Sequence, residues 1–302
     1  MKRIFLNIFK KTIPFFALAF FIWLGVKRTD GFRQNLITTF KSYDKKWDIE
    51  LTTDINEIRD ILSKKFHYLT RGRECFIFES DDEKYVIKFF DSSRYDAKLF
   101  KPYIPLPKIL ENYRKKHYNR RSTKLNFNLS SAKIAYERLK EDAALIHVNL
   151  TKTDIFSKKI HITNKYGKQL FLDLNNIFFI LQKKCDLFYR EYENINDDEY
   201  KKYLLTSFLE MAHRRTLKLV IDDDIGKKRR NWGLLNNKAV TFDIGRWYHD
   251  EKLQTLEGYK KEMIKATKIF RKYLSDNEPE KLDFVNQMLE EYFKAFNEKV
   301  SK

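Results

Sequence analysis

LKLVIDDDIGKKRRNWGLLNNKAVTFDIGRW, residues 217–247, sets three carboxylates, four cations and an asparagine ahead of a short strand pair. Asp222, Asp223 and Asp224 come first, then Gly226, Lys227, Lys228, Arg229 and Arg230, then Asn231. Trp232 to Leu235 and Ala239 to Phe242 read as two strands turned by Asn236-Asn237, and the second runs into Asp243-Ile244-Gly245. An amide and a carboxylate twelve residues apart thus stand at the two ends of a hairpin, which a tight turn brings together. An Asn oxygen and an Asp carboxylate are hard-oxygen ligands of the kind that hold magnesium on a phosphate. A hairpin with solvated turn residues is the alternative reading of the same stretch, since acidic runs and D-x-G turns are common.

A second stretch, Leu69 to Phe90, reads LTRGRECFIFESDDEKYVIKFF. Leu69-Thr70-Arg71-Gly72-Arg73-Glu74-Cys75-Phe76-Ile77 resembles the glycine-rich loop L-G-x-G-x-x-G-x-V of the protein-kinase-like superfamily; Gly72 is the glycine kept, with Thr70 and Cys75 at the other two places. Tyr85-Val86-Ile87-Lys88 resembles the family's V-A-I-K strand, Asp243-Ile244-Gly245 its D-F-G and Asn231 its metal-binding asparagine. The resemblance spans roughly residues 66 to 247. It implies an α+β, two-lobed protein-kinase-like fold with an antiparallel-sheet N-lobe and a small, mainly helical C-lobe. It also implies ATP and magnesium as cofactors, Gly72 and Lys88 at the nucleotide, and Asn231 and Asp243 at the metal. In such folds a helix glutamate holds the strand lysine; Glu137 is the first choice and Glu141, four residues on, the second.

The family places its catalytic aspartate five residues before the asparagine, where this chain has Gly226. Asp224 lies seven residues before Asn231 and Asp222 nine, so Asp224, with Asp222 behind it, is the candidate catalytic residue. No A-P-E motif follows Asp243, and the segment that would seat a peptide substrate is missing. The resemblance therefore implies an atypical phosphotransferase acting on a lipid, a small molecule or an unusual protein. The alternative is a catalytically inactive, pseudokinase-like docking or scaffold protein at a membrane.

The 302 residues suffice for one two-lobed domain or two small ones, and 34% charged with 43% hydrophobic residues reads as a globular body. Sixty Lys and Arg against 42 Asp and Glu, net +18, favour anionic partners. Nucleic acid, for which net charge is the sole support, ranks last among them. Cys75 and Cys185 are the only cysteines, without C-x-x-C spacing, which argues against a zinc site or a disulfide framework.

In chain order, residues 1–28 contain the uncharged run Thr12 to Val26, flanked by Lys10, Lys11, Lys27 and Arg28. As a helix it spans about 22 Å against a bilayer core of about 30 Å. It reads as a membrane anchor, with a secretory or periplasmic signal segment or a buried helix as alternatives. Residues 29–65 read as a linker and a helix, 66–185 as the N-lobe with a basic insert, and 186–302 as a compact C-lobe. On that division the folded body begins near residue 45. Within the insert, Tyr113, Arg114, Lys115, Lys116, His117, Tyr118, Arg120, Arg121 and Lys124 form a cationic patch suited to an anionic membrane surface, or simply a solvated face. Ser130 or Ser131 is expected to cap a helix to about Leu145. Tyr200, Tyr203, Leu204, Ser207, Phe208 and Met211 repeat at helical spacing and mark a core helix, with Asn196 as its cap. His213, near the end of that helix, reads as a surface residue. Two helices, Leu256 to Leu274 and Glu280 to Val300, close the chain.

Overall fold

The computed structural model describes residues 14–16, 18–21, 24–25, 30–38, 44–95, 106–227 and 229–301. The architecture is mixed α+β: a mostly antiparallel sheet forms the N-lobe and helices dominate the C-lobe, as expected. Strands β1 (Lys65–Arg71), β2 (Cys75–Ser80), β3 (Tyr85–Phe90), β4 (Leu145–Asn149), β5 (Ile160–Thr163), β6 (Gln169–Leu172) and β7 (Phe179–Lys183) form one sheet in the order β4-β7-β3-β2-β1-β5-β6. Only β1 and β5 pair in parallel. Strand alternation decides what the sheet buries: in β2, Phe76, Phe78 and Ser80 point inward and their neighbours are half-covered. Phe76 and Phe78 meet Phe66, Ile87, Phe89 and Phe179 from adjoining strands in one core.

Helix α1 (Ile55–Ser63) starts at Asp54, whose carboxylate accepts from the Asn56 amide, and buries Ile58, Ile61 and Leu62 against this core. Phe32, Leu36 and Ile37 lie in the same core. They fall in the stretch read as linker, so folded structure reaches well ahead of residue 45. The Phe32 ring stands edge-on to Phe76 and Phe78 at centroid distances of 5.2 and 5.3 Å. Arg71 ties this strap to the glycine loop: one guanidinium nitrogen donates to the Asp30 carbonyl at 2.7 Å, the other to the buried Asp91 carboxylate at 2.5 Å.

Among the described residues no helix is long and apolar enough to cross a membrane. That finding overturns the expectation of a protein held at a membrane through Thr12–Val26. Several residues of that run, Thr12 and Ile13 among them, lie outside the described ones.

Helix α2 (Lys108–Leu139) is longer than the helix expected from residue 130. Ser131 is not a cap: its hydroxyl donates to the Trp247 carbonyl and accepts from the Trp247 amide. The second half of α2 buries Leu129, Ala132, Ala135, Tyr136 and Leu139, while the first half buries none of its residues.

The C-lobe comprises β8 (Asp186–Leu187), α3 (Phe188–Asn194), α4 (Asp198–Leu217), β9 (Val220–Asp222), β10 (Trp232–Leu235), β11 (Lys238–Thr241), β12 (Trp247–His249), α5 (Leu256–Asn277) and α6 (Pro279–Val300). Asp197, one residue past the expected Asn196, caps α4 through the amides of Glu199 and Tyr200. The stripe of α4 supplies Leu204, Phe208 and Met211 to a core shared with Trp232, Tyr259 and Phe270. His213 is half-buried rather than surface: it stacks on Tyr292 at 4.6 Å and bonds the Tyr259 hydroxyl. The lobes join where Arg214 of α4 donates twice to Asp142 and where the Thr241 amide donates to the Asp142 carbonyl.

His147 of β4 is buried among Tyr136, Phe156 and Phe179, and neither ring nitrogen has a hydrogen-bond partner. Burial, helped by Lys140, pushes its pKa down from 6.5 to about 4. The unfolded chain therefore binds a proton that the native chain refuses. The neutral ring's full contribution is present above pH 6.5 and is lost as pH falls through 4. The loss amounts to about 3 kcal/mol. His147→Phe is expected to flatten the stability profile between pH 7 and pH 4 in urea titrations; an unchanged slope would show that another group governs acid unfolding.

Candidate active site

Lys88 of β3 bonds the segment that follows β11, and the acidic triplet is tied to the same segment through Arg246; these three pieces of chain make up the candidate site. The first is Lys88, on the central strand β3. Its amine is sunk into the cleft and donates to the Phe242 carbonyl at 2.6 Å. Burial holds the amine below the ordinary lysine value, while the nearby Asp243 carboxylate pulls the other way. Cys75 and Cys185 also face it, and burial pushes their thiols up to about 12 and about 11, so both are neutral at physiological pH.

The second piece is the hairpin β10–β11. Asn236 and Asn237 take positive φ of 51° and 64°, the mirror-image turn that matches strand twist. The register pairs Trp232 with Thr241, and the Phe242 amide donates to the Asn231 carbonyl at 3.3 Å. Asn231 thus lies opposite Phe242 at the open end of the hairpin, and Asp243 follows one residue on. Asn231 is buried, and its Nδ2 has no hydrogen-bond partner. The O and N of an amide exchange places by a half-turn, so Oδ1 can occupy the same position. Asp243 is exposed to the cleft. An orphaned buried amide beside an open carboxylate fits magnesium, which draws its remaining ligands from water and phosphate. Among the described residues no group of three or more His, Cys, Asp or Glu could hold a metal by itself.

The third piece is the acidic triplet, whose members have separate surroundings. Asp222 is 1% exposed, and its Oδ1 accepts from the amides of Asp224 and Ile225 at 2.8 and 3.0 Å. Burial raises its pKa to about 6, opposed chiefly by Arg215. A carboxylate committed in this way shapes the turn and does not reach an acceptor hydroxyl, which corrects the reading of Asp222 as a second catalytic residue. Asp223 is half-exposed beside Lys265. Asp224 sits between Lys227, at 3.5 Å from one carboxylate oxygen, and Arg246, at 3.4 Å from the other. Exposed ion pairs of this kind contribute about 0–1 kcal/mol. Gly226 makes the turn possible: its φ is +71°, and a Cβ there would lie 2.1 Å from the Lys265 carbonyl oxygen.

Glu137 is not the partner of Lys88. It is exposed on α2 and paired with Lys133 at 3.7 Å, and Glu141 is exposed just past the helix end. The helix turns these acids outward because its inward face is taken by Ala132, Ala135, Tyr136 and Leu139. Asn128 of the same helix is buried and donates to the Tyr95 hydroxyl at 2.7 Å. Gly72 is in the β1–β2 turn, where its amide donates to the Cys75 carbonyl at 2.9 Å. Residues that the sequence reading missed are Arg246, Gln182 and Arg215. Gln182 is fully buried and donates to the Ala143 carbonyl and, at 3.4 Å, to the Phe242 carbonyl. Arg246 follows D-x-G directly, and that adjacency was the signal available for it.

No family model and no curated protein matches the sequence. Among solved structures, the 2.2 Å crystal structure of WbdD is similar at 15% identity over 77% of this chain and 45% of that one, with a TM-score of 0.36. The medium-resolution structure of the bifunctional kinase-methyltransferase WbdD gives 14% identity, 75% and 43% coverage and a TM-score of 0.35. The ADP-bound aminoglycoside phosphotransferase APH(2'')-Ib gives 14% identity, 83% and 97% coverage and a TM-score of 0.24. The chain spans less than half the length of the WbdD chains.

Proposed function

We propose that the chain is an atypical kinase-like phosphotransferase that uses ATP and magnesium. The observation that supports this reading most directly is that the Lys88 amine bonds the Phe242 carbonyl, close enough to Asp243 to feel its charge, while the Phe242 amide bonds the Asn231 carbonyl. Lys88 would grip the nucleotide phosphates, and the glycine turn at Gly72 would cover them with backbone amides. Asn231 and Asp243 would hold the metal, which supplies charge neutralisation at the phosphates when bound. Asp224 would accept the acceptor's hydroxyl proton. In the transfer, the acceptor oxygen bonds to the γ-phosphorus as the bond from that phosphorus to the β–γ bridging oxygen breaks. The electron pair leaves with ADP and the proton passes to Asp224.

One observation favours the inactive alternative: among the described residues Lys88 has no helix glutamate to hold it, and its bond is to the Phe242 carbonyl. Two measurements separate the readings. Nucleotide binding is expected as a thermal shift, worth about 2.7 kcal/mol at a hundredfold excess over Kd. It should be larger with magnesium than without and absent in Lys88→Met. Phosphate release or transfer from labelled ATP then distinguishes enzyme from scaffold. A chain that shows no shift with ATP and magnesium rules out the enzyme and leaves only the scaffold.

A further inference from the structure

Asp224 is the group to which an acceptor hydroxyl must come, and two cations stand on it. Lys227 and Arg246 each face one of its oxygens, with side chains 54% and 43% exposed, so both heads lie on the solvent side of the carboxylate. The Arg246 backbone is fixed, since its carbonyl accepts from the Asp223 amide at 3.1 Å, within the β9–β12 pairing. Arg230, on the same loop, is exposed and has no ion-pair partner among the described residues. Opposing charge is sparse here: Asp223 is occupied by Lys265 and Asp222 by Arg215.

From this arrangement we infer that the acceptor is an anion, carrying a phosphate or carboxylate near the hydroxyl that receives the phosphoryl group, and that Arg246 and Lys227 are its clamp. The inference rests on the phosphotransferase reading and adds the acceptor's chemical class. An arginine fork meets a phosphate with two parallel charge-assisted hydrogen bonds, a better partner than the edge contact it makes with Asp224. Acceptor binding thus draws both cations off Asp224 and leaves its carboxylate to the hydroxyl. A neutral acceptor has nothing to exchange for the ion pairs, and a cationic one meets three like charges.

The test uses the full chain saturated with magnesium and a non-hydrolysable ATP analogue, so that added anions do not occupy the nucleotide site. Calorimetric titration with glycerol 3-phosphate is expected to show binding, and titration with glycerol or with the polycation kanamycin none. Arg246→Gln should weaken glycerol 3-phosphate binding by about tenfold or more, and Arg246→Lys by less than about threefold. Arg229→Gln should leave it unchanged, because Arg229 is paired with Glu193 and lies over Tyr189 and Tyr273. Absence of glycerol 3-phosphate binding to the loaded chain, equal binding by Arg246→Gln, or tighter binding of kanamycin overturns the inference. A chain that does not load with the analogue fails at the phosphotransferase reading itself, and the inference falls with it.

Discussion

Arg215→Met is expected to destabilise the fold by about 3–5 kcal/mol, the cost of leaving buried charge without its partner. Arg215 is 1% exposed at the end of α4. Its guanidinium is 3.2 Å from Glu262 of α5 and 3.9 Å from Asp222 of β9, both carboxylates also buried. The Asp222 amide adds a bond to Glu262, so the arginine is the charge that permits three elements to meet at one point. The effect should depend on pH. Burial already raises Asp222 to about 6, so the native state binds its proton more readily than the unfolded chain. Its contribution is fully present below the unfolded value of 3.8 and is lost as pH rises through the folded value. Without Arg215 the folded value climbs further, so the variant's deficit should be larger at pH 8 than at pH 5. Guanidinium melts at the two pH values check this. Equal deficits would mean that the arginine acts through packing rather than charge.

Asp243→Ala is expected to abolish the magnesium-dependent part of nucleotide stabilisation, a loss of up to about 2.7 kcal/mol at a hundredfold excess of ligand. On the proposed reading the Asp243 carboxylate would be the charged oxygen ligand of the metal, and Asn231 would offer a neutral amide. The same change removes the charge that offsets burial of the Lys88 amine. Asp224→Asn provides the contrast: binding and its magnesium dependence should survive, while turnover falls by about 10²–10⁴, the usual worth of a positioned base. Differential scanning fluorimetry with and without magnesium, paired with single-turnover transfer, separates the two variants. Loss of binding in Asp224→Asn would place that carboxylate in the nucleotide site instead.

The parts of this site that were legible in the sequence are those set by local chemistry. Asn236-Asn237 dictates a mirror-image turn, and the turn sets Asn231 opposite Phe242, the residue before Asp243. Strand alternation through Tyr85 to Phe90 likewise puts Lys88 on the side opposite the buried Ile87. The acidic triplet was ambiguous because assigning Asp222 to the interior requires Arg215 and Glu262, which arrive from two other helices. Glu137 misled because helical spacing gives a common face for acids without saying which way that face points. The first half of α2 carried no helical signal, since a helix half that buries nothing needs no apolar stripe. The strap was missed because Phe32, Leu36 and Ile37 are too few and too irregularly spaced to show a period.

Arg71 grips the strap at the Asp30 carbonyl and the lobe at the Asp91 carboxylate, and it is also the residue before Gly72. The turn proposed to cover the phosphates is therefore mechanically in series with the chain ahead of residue 30. A load on that chain, whether from a fused tag or a bound neighbour, reaches the loop through Arg71 as well as the sheet through Phe32. An expression tag placed there would load the turn proposed to cover the nucleotide, and a carboxyl-terminal one, beyond α6, is the quieter choice.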